Sequence, residues 1–152
     1  MTYIKPWAFK KVVLPQHTDH AGVMWHGAYL NWMEEGRIYA LNKVGIPYER
    51  LSSQGYEMPV VSLDIKYKIA LRHGEEVLIK TWFLPKKGAK LPCKVVFEKS
   101  KGAIAAISEV NLVLVRNNKG LHGLVRKFPE NIEDFINSLI KGPCSDEKQN
   151  FN

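Results

Sequence analysis

The chain has 152 residues, 45% of them hydrophobic, and a formal net charge of +7. That length accommodates one domain with a real core and hardly two. No apolar run approaches the roughly 20 residues of a membrane-spanning helix, since even Val110–Val115 breaks at Asn111.

Residues Ala8–Leu14 read as a β-prone run ended by Pro15, and Gln16–Met24 as loop. A helix is predicted from about Gly27 to Val44. Its apolar positions, Tyr29, Leu30, Trp32, Met33, Ile38, Tyr39, Leu41 and Val44, cover more than one stripe, which argues deep burial against a sheet. Gly45 and Pro47 stop it. Pro47–Ser53 reads as a short second helix with proline in its first position, closed by Gly55.

The period then changes. Val61, Leu63, Ile65, Tyr67, Ile69 and Leu71 alternate with Ser62, Asp64, Lys66, Lys68 and Ala70. Such alternation predicts a long strand with one buried face. Strands are also predicted over Glu76–Leu84, Leu91–Lys99 and Ala103–Val115. Turns fall at Arg72–Glu75, Ser100–Gly102 and Asn117–Gly120. Ile132, Phe135, Ile136, Leu139 and Ile140 have helical spacing, with Pro129 before them and Gly142-Pro143 after. Residues 1–142 are therefore expected to form one domain and 143–152 a polar, disordered tail. Strands joined by short turns around one long helix predict an α+β antiparallel sheet with a helix lying on it.

Cys93 and Cys144 lack metal-ligand spacing, so neither a zinc site nor a disulfide framework is expected. The N-terminal residues lack an apolar leader, and a reducing cytoplasm is the expected compartment. The positive charge favours an anionic partner. Its densest run is Lys86, Lys87, Lys90 and Lys94, which reads either as a solvated loop or as a phosphate-binding one. Nucleic acid is disfavoured, because no helix-turn-helix signature and no clustered basic-aromatic pattern is present.

The stretch most suited to chemistry is Asp19–Arg37. Asp19 stands in a Gly-containing loop seven residues before His26, at the start of the long helix. Free N–H groups at a helix start polarise a carbonyl, and a carboxylate facing them serves as base or nucleophile. A turn or capping aspartate is the plain alternative. Gly22 and Gly27 permit close backbone approach or are simply turn glycines. Glu34 and Arg37 share a helix face and are expected to pair.

Thr18-Asp19-His20-Ala21-Gly22-Val23-Met24-Trp25-His26-Gly27-Ala28-Tyr29-Leu30 resembles the signature of the 4-hydroxybenzoyl-CoA thioesterase-like proteins, in particular the YbgC-like acyl-CoA thioesterases. Tyr67, Ala70 and Gly74-Glu75 resemble a second, weaker motif of that family, with Ile69 where proline is frequent. The resemblance implies the hotdog fold, a curved antiparallel sheet wrapped around a central helix. It implies hydrolysis of an acyl- or aroyl-CoA thioester, with short, long or aromatic acyl groups all represented, 1,4-dihydroxy-2-naphthoyl-CoA among them. Asp19 would be nucleophile or general base. His26 would offer its backbone N–H to the thioester oxygen. Val60, Val61 and Ser62 would lie beside the acyl group, often across a dimer interface, and Gly22, Gly27 and Tyr29 would be further substrate contacts, Tyr29 being equally suited to core packing. Arg72, Lys86, Lys87, Lys90 and Lys101 would be candidates for the CoA phosphates. No metal or redox cofactor is implied, and a homodimer or homotetramer is expected. The rival readings are an acyl-CoA binder without activity and a dehydratase using Glu34 or Glu35 with His26.

Overall fold

A computed structural model describes residues 4–144 of the chain. Strand β1 (Trp7–Val12) leads through a 3-10 turn at Pro15–His17 and a loop into α1 (His26–Val44). Then follow α2 (Tyr48–Ser53), β2 (Tyr56–Glu57) and β3 (Val60–Tyr67). Strands β4 (Glu76–Phe83), β5 (Lys90–Lys99) and β6 (Ile104–Val113) come next, followed by β7 (Val115–Asn118), β8 (Leu121–Leu124) and α3 (Glu130–Lys141).

All pairings are antiparallel. Five strands form one sheet in the order β1-β4-β5-β6-β3, and β2, β7 and β8 form a second. Strands β4, β5 and β6 are a meander. The Ser100–Gly102 turn joins β5 to β6, with Gly102 at φ 89° and its N–H on the Lys99 carbonyl. The expectation that sequential strands are neighbours fails at β3. It pairs with β6, while β4 pairs with β1 and β5, so the chain crosses the sheet between β3 and β4. The three short strands β2, β7 and β8 were not foreseen.

Helix α1 begins one residue before the expected start. It ends at Gly45, whose φ of 91° is the left-handed conformation that glycine adopts without a side-chain clash. Ala28, Tyr29, Trp32, Met33, Gly36, Ala40 and Leu41 are its buried positions. Gly36 brings the helix close to the sheet: a Cβ there would lie 3.1 Å from Thr81 Oγ1 on β4 and 3.2 Å from the ring of Phe9 on β1. Its outer face is open: Leu30 and Ile38, counted in sequence among the apolar positions expected to be deeply buried, are exposed.

Helix α3 closes the far flank with Ile132, Ile136 and Leu139, and Trp7 Nε1 donates to the Leu139 carbonyl at 3.0 Å. Beyond it, Pro143 is buried, within what was expected to be tail; the polar stretch from Ser145 lies outside the described residues.

Strand β3 is the largest departure. Its odd-numbered face is the apolar one, as the alternation requires, and Tyr67 meets Tyr29 of α1 at 5.0 Å between ring centres. Yet Val61 is 51% exposed, Leu63 and Tyr67 are also open, and only Ile65 is half-buried. The strand ends at Tyr67 and not Leu71. It is a sheet edge, so among the described residues its outward N–H and C=O groups have no neighbouring strand and its apolar row has only half a cover.

Candidate active site

The loop before α1 is closed by its own backbone. Thr18 and Met24 form an antiparallel bridge, Trp25 N–H reaches the His17 carbonyl, and Met24 N–H reaches the Leu71 carbonyl at 2.7 Å. Between the bridged residues, Asp19 N–H donates to Val23 O and Gly22 N–H to Asp19 O. Gly22 has φ 78°, a conformation that lets the turn return on itself. The Asp19 side chain takes part: Oδ1 accepts from Ala21 N–H at 2.8 Å and from Val23 N–H at 3.4 Å. This is the turn role that aspartate fills elsewhere. It leaves Oδ2, which accepts no hydrogen bond among the described residues, on an exposed side chain. One oxygen orients the carboxylate and the other is open to react.

That loop delivers the chain directly into α1. Trp25 is the residue before the helix, in extended backbone (φ −83°, ψ 154°), and His26 is the first helical residue. Ala28 N–H turns back to the Trp25 carbonyl, whereas His26 and Gly27 N–H find no backbone acceptor among the described residues. Two adjacent amides at the positive end of a 19-residue helix form a ready donor pair for a developing oxyanion. The Trp25 ring stacks edge-on against the exposed His26 imidazole (5.2 Å, 71°) and covers Gly27.

Of the three aromatic residues around the loop, only Trp25 is accessible, at 41% exposure. Trp32 and Tyr29 are in the core. Tyr29 lies between Tyr67 and Phe97, and burial pushes its phenol up to about 12. Its side chain packs in the core, the alternative to substrate contact that its place on the helix allows. By sequence, Trp25, Trp32 and Tyr29 all suit a flat aromatic acyl group or the core, and burial separates Trp25 from the other two.

Val61 and Ser62 stand at a register shift: Val60 opposes Leu112 and Ser62 opposes Asn111, leaving Val61 as the extra residue of a bulge. Ser62 Oγ accepts from Asn111 Nδ2 at 2.9 Å. A bulge bends its strand and re-aims side chains, and here it does so on an open edge.

The cations divide into two groups. Arg72 bridges to Val23, beside the Asp19 loop, and Lys101 sits in the β5–β6 turn at that same end of the sheet. Lys87 and Lys90 form the β4–β5 turn at the opposite end, a strand length of roughly 25 Å away. There they line a cavity of 610 Å³ with Arg126, which sequence reasoning did not pick out. Lys86 is committed elsewhere, its Nζ 3.7 Å from the centre of the Phe128 ring. Within one protomer the structure therefore does not bring Lys86, Lys87 and Lys90 to Asp19.

Farther along α1, Glu35 pairs with Lys11 at 2.9 Å. The expected Glu34–Arg37 ion pair is not formed among the described residues. Both instead line a cleft of 740 Å³ between α1, α2 and the start of β3. Cys93 is buried and its thiol is pushed up to about 12, which makes it inert as a nucleophile. Among the described residues no three His, Cys, Asp or Glu side chains gather as a metal-ligand set, and no helix is long and apolar enough to cross a membrane.

A loop carboxylate set before an amide-bearing helix start, on a helix that packs against an antiparallel sheet, defines a class. Residues 13–136 match the thioesterase-like superfamily, and the chain belongs to it: it is a thioester hydrolase with the hotdog fold. It is 31% identical over 130 residues to "Putative esterase sll0410" of Synechocystis sp. (strain ATCC 27184 / PCC 6803 / Kazusa), an alignment covering 84% of this chain and 76% of that protein. In structure it is similar to a DHNA-CoA thioesterase from Staphylococcus aureus (TM-score 0.76, 23% identity, 86% of this chain and 88% of that one). It is also similar to the Staphylococcus aureus protein SAV2348, solved in complex with CoA (TM-score 0.79, 16% identity, 95% and 90%). At these identities the two structures support the fold.

Proposed function

We propose that the protein hydrolyses an acyl- or aroyl-CoA thioester to the free acid and CoA at a site formed by Asp19 and the start of α1. The observation that carries this reading is the Asp19 carboxylate, pinned through Oδ1 with Oδ2 open, in the loop that leads into the unpartnered amides of His26 and Gly27. The thioester oxygen accepts from the His26 amide as the carbonyl carbon becomes tetrahedral, an interaction of the kind whose removal costs about 10²–10³ in rate. Asp19 either takes a proton from the attacking water or attacks the carbonyl itself, forming an anhydride that water then opens. In both routes the C–S bond breaks and the CoA sulfur leaves with the electron pair and is protonated. Trp25 offers a face for a flat acyl or adenine group. Arg72 and Lys101 are the phosphate contacts nearest the loop within the protomer.

The same reading includes a homo-oligomer. The β3 edge, with its open backbone and its apolar row of Val61, Leu63 and Tyr67, favours a second copy of the chain as its cover. Antiparallel pairing of two β3 edges, centred on the strand, sets the Val60 end of one copy beside the Tyr67 end of the other. It thereby carries one protomer's Lys87–Lys90 end toward its partner's Asp19 end.

The test is release of free thiol from a panel of aliphatic and aromatic acyl-CoAs by the wild-type protein and Asp19→Asn. Turnover by the wild type, lost in the variant, is expected. Tight binding of acyl-CoA without thiol release from any member of the panel would leave a binding protein in place of an enzyme.

A further inference from the structure

The cleft beyond the first three turns of α1 is walled by Ile38, Leu41, Met58, Phe83 and Leu112, and its 740 Å³ is the size of a small-molecule site. Three charged residues, Glu34, Arg37 and Glu49, join that apolar lining, and Arg37 is its one cation and the one of the three that is not exposed. Arg37 is half-buried, and its guanidinium has no hydrogen bond or ion pair among the described residues. A guanidinium drawn part-way out of bulk water without an acceptor is under-satisfied, and it stays charged at any working pH.

The groups around it do not serve as that acceptor. The Cys93 thiol is neutral. The Tyr48 hydroxyl takes the Met58 N–H, and Ser52 Oγ is engaged with Glu57 at 2.9 Å. Glu34 and Glu49 line the cleft but are exposed, and neither forms an ion pair with Arg37 among the described residues. Burial lowers the Arg37 pKa, with Cys93, Glu34 and Tyr48 acting in the opposite direction. A planar, half-buried fork of this kind is matched in two hydrogen bonds by a carboxylate.

Resting on the thioesterase reading above, we propose that Arg37 is a specificity residue: it selects acyl groups that carry a carboxylate at the end remote from the thioester, with their carbon chain against the apolar wall. Within one protomer, Arg37 is eleven residues from His26, roughly 16 Å along the helix axis. Pairing of two β3 edges shortens the route. Val60 lines this cleft, and the centred pairing sets it beside the partner's Tyr67 end, where the ring of Tyr67 meets Tyr29 in the first turn of α1.

Matched pairs of acyl-CoAs of equal length, one methyl-terminated and one carboxyl-terminated, test this on the full chain, with a hydroxyaroyl-CoA beside them. The expected result is a preference of about tenfold or more in kcat/KM for the carboxyl-terminated member at some length. Arg37→Met abolishes that preference while keeping turnover of the methyl-terminated partner, and Arg37→Lys retains part of it. A preference for the methyl-terminated or hydroxyaroyl substrate overturns the inference. So does an Arg37→Met variant that slows both members equally. Turnover of some thioester without the preference defeats the inference alone, whereas no turnover of any thioester defeats the reading beneath it.

Discussion

The indole of Trp25 occupies the space that a side chain at Gly27 would need: a Cβ there falls 2.1 Å from the ring. The obstruction is the far end of a half-exposed side chain, which can swing aside. Gly27→Ala is therefore expected to leave stability unchanged or raise it by up to about 1 kcal/mol, because alanine favours the helix. It should also displace Trp25 from the first turn. A change in tryptophan fluorescence with an unchanged or higher Tm, together with reduced kcat/KM, is the outcome to look for. An unaltered emission spectrum would contradict the packing described.

Asp19→Asn keeps an Oδ1 acceptor for Ala21 N–H, so the loop should persist while the reacting carboxylate is lost. Turnover should fall by about 10²–10⁴, the range of a missing acid–base group, with Tm nearly unchanged. Asp19→Ala removes the acceptor as well and should cost about a further 1 kcal/mol of stability. Thiol-release kinetics and thermal unfolding on both variants separate the two roles.

Gly142 contrasts with Gly27. Its φ is 80°, and a Cβ would approach the Lys5 carbonyl oxygen to 2.3 Å, which is backbone and cannot swing away. Gly142→Ala should destabilise the fold by about 2 kcal/mol, or a Tm loss of roughly 4–8 °C, by prying α3 from the N-terminal segment. Calorimetry measures it, and an unchanged Tm would refute the contact.

Leu63→Lys places a charge in the open apolar row of β3. Sedimentation should show the assembly shifted toward monomer, with activity falling in parallel, since the proposed site draws on both copies. A fully active monomer would reject that arrangement.

Alkali should weaken the fold through two buried groups. The Cys93 thiol is raised from 9.0 to about 12, and the Tyr29 phenol from 10.0 to about 12, both by burial. A raised acid holds its proton more firmly in the folded state, so its contribution is complete below the unfolded pKa. It is lost as pH rises toward the folded one. Stability should decline from about pH 9 up to about pH 12, each group adding about 1.4 kcal/mol per pH unit at most. Denaturant titrations across that range test the slope. In the native state Cys144 should react quickly with a thiol reagent while Cys93 should not.

Much of this was legible in the chain. Helix α1 was placed to within one residue because Gly45 and Pro47 punctuate its end and its apolar density is high. The β5–β6 hairpin followed from Ser100–Gly102. Strands β7 and β8 were not legible: Arg116, Asn117, Asn118 and His122 give no apolar alternation. Their pairing comes from backbone bonds and from the Tyr56–Arg116 contact at 2.7 Å. Periodicity identified β3 as a strand but could not say that its apolar face lies at an edge, since alternation records which side is greasy and not what covers it. For the proposed site, residue order singles out Asp19 and His26 as candidates. The distance between Lys87 and Asp19 depends on strand direction, and the burial of Tyr29 on tertiary packing.

The strand order also bears on how the chain folds. The β4-β5-β6 meander closes through short turns, whereas β1 finds β4 across more than sixty residues of chain, Trp7 opposite Thr81, and β3 reaches β6 over some forty. Contacts of such separation are slow to form. The meander is thus the natural nucleus, and β1 and β3 are late arrivals at its two margins. One of these late margins, β3, is the strand proposed to pair with a second copy, so a late step of folding and the first step of that assembly would share a strand, and refolding should then quicken with protein concentration.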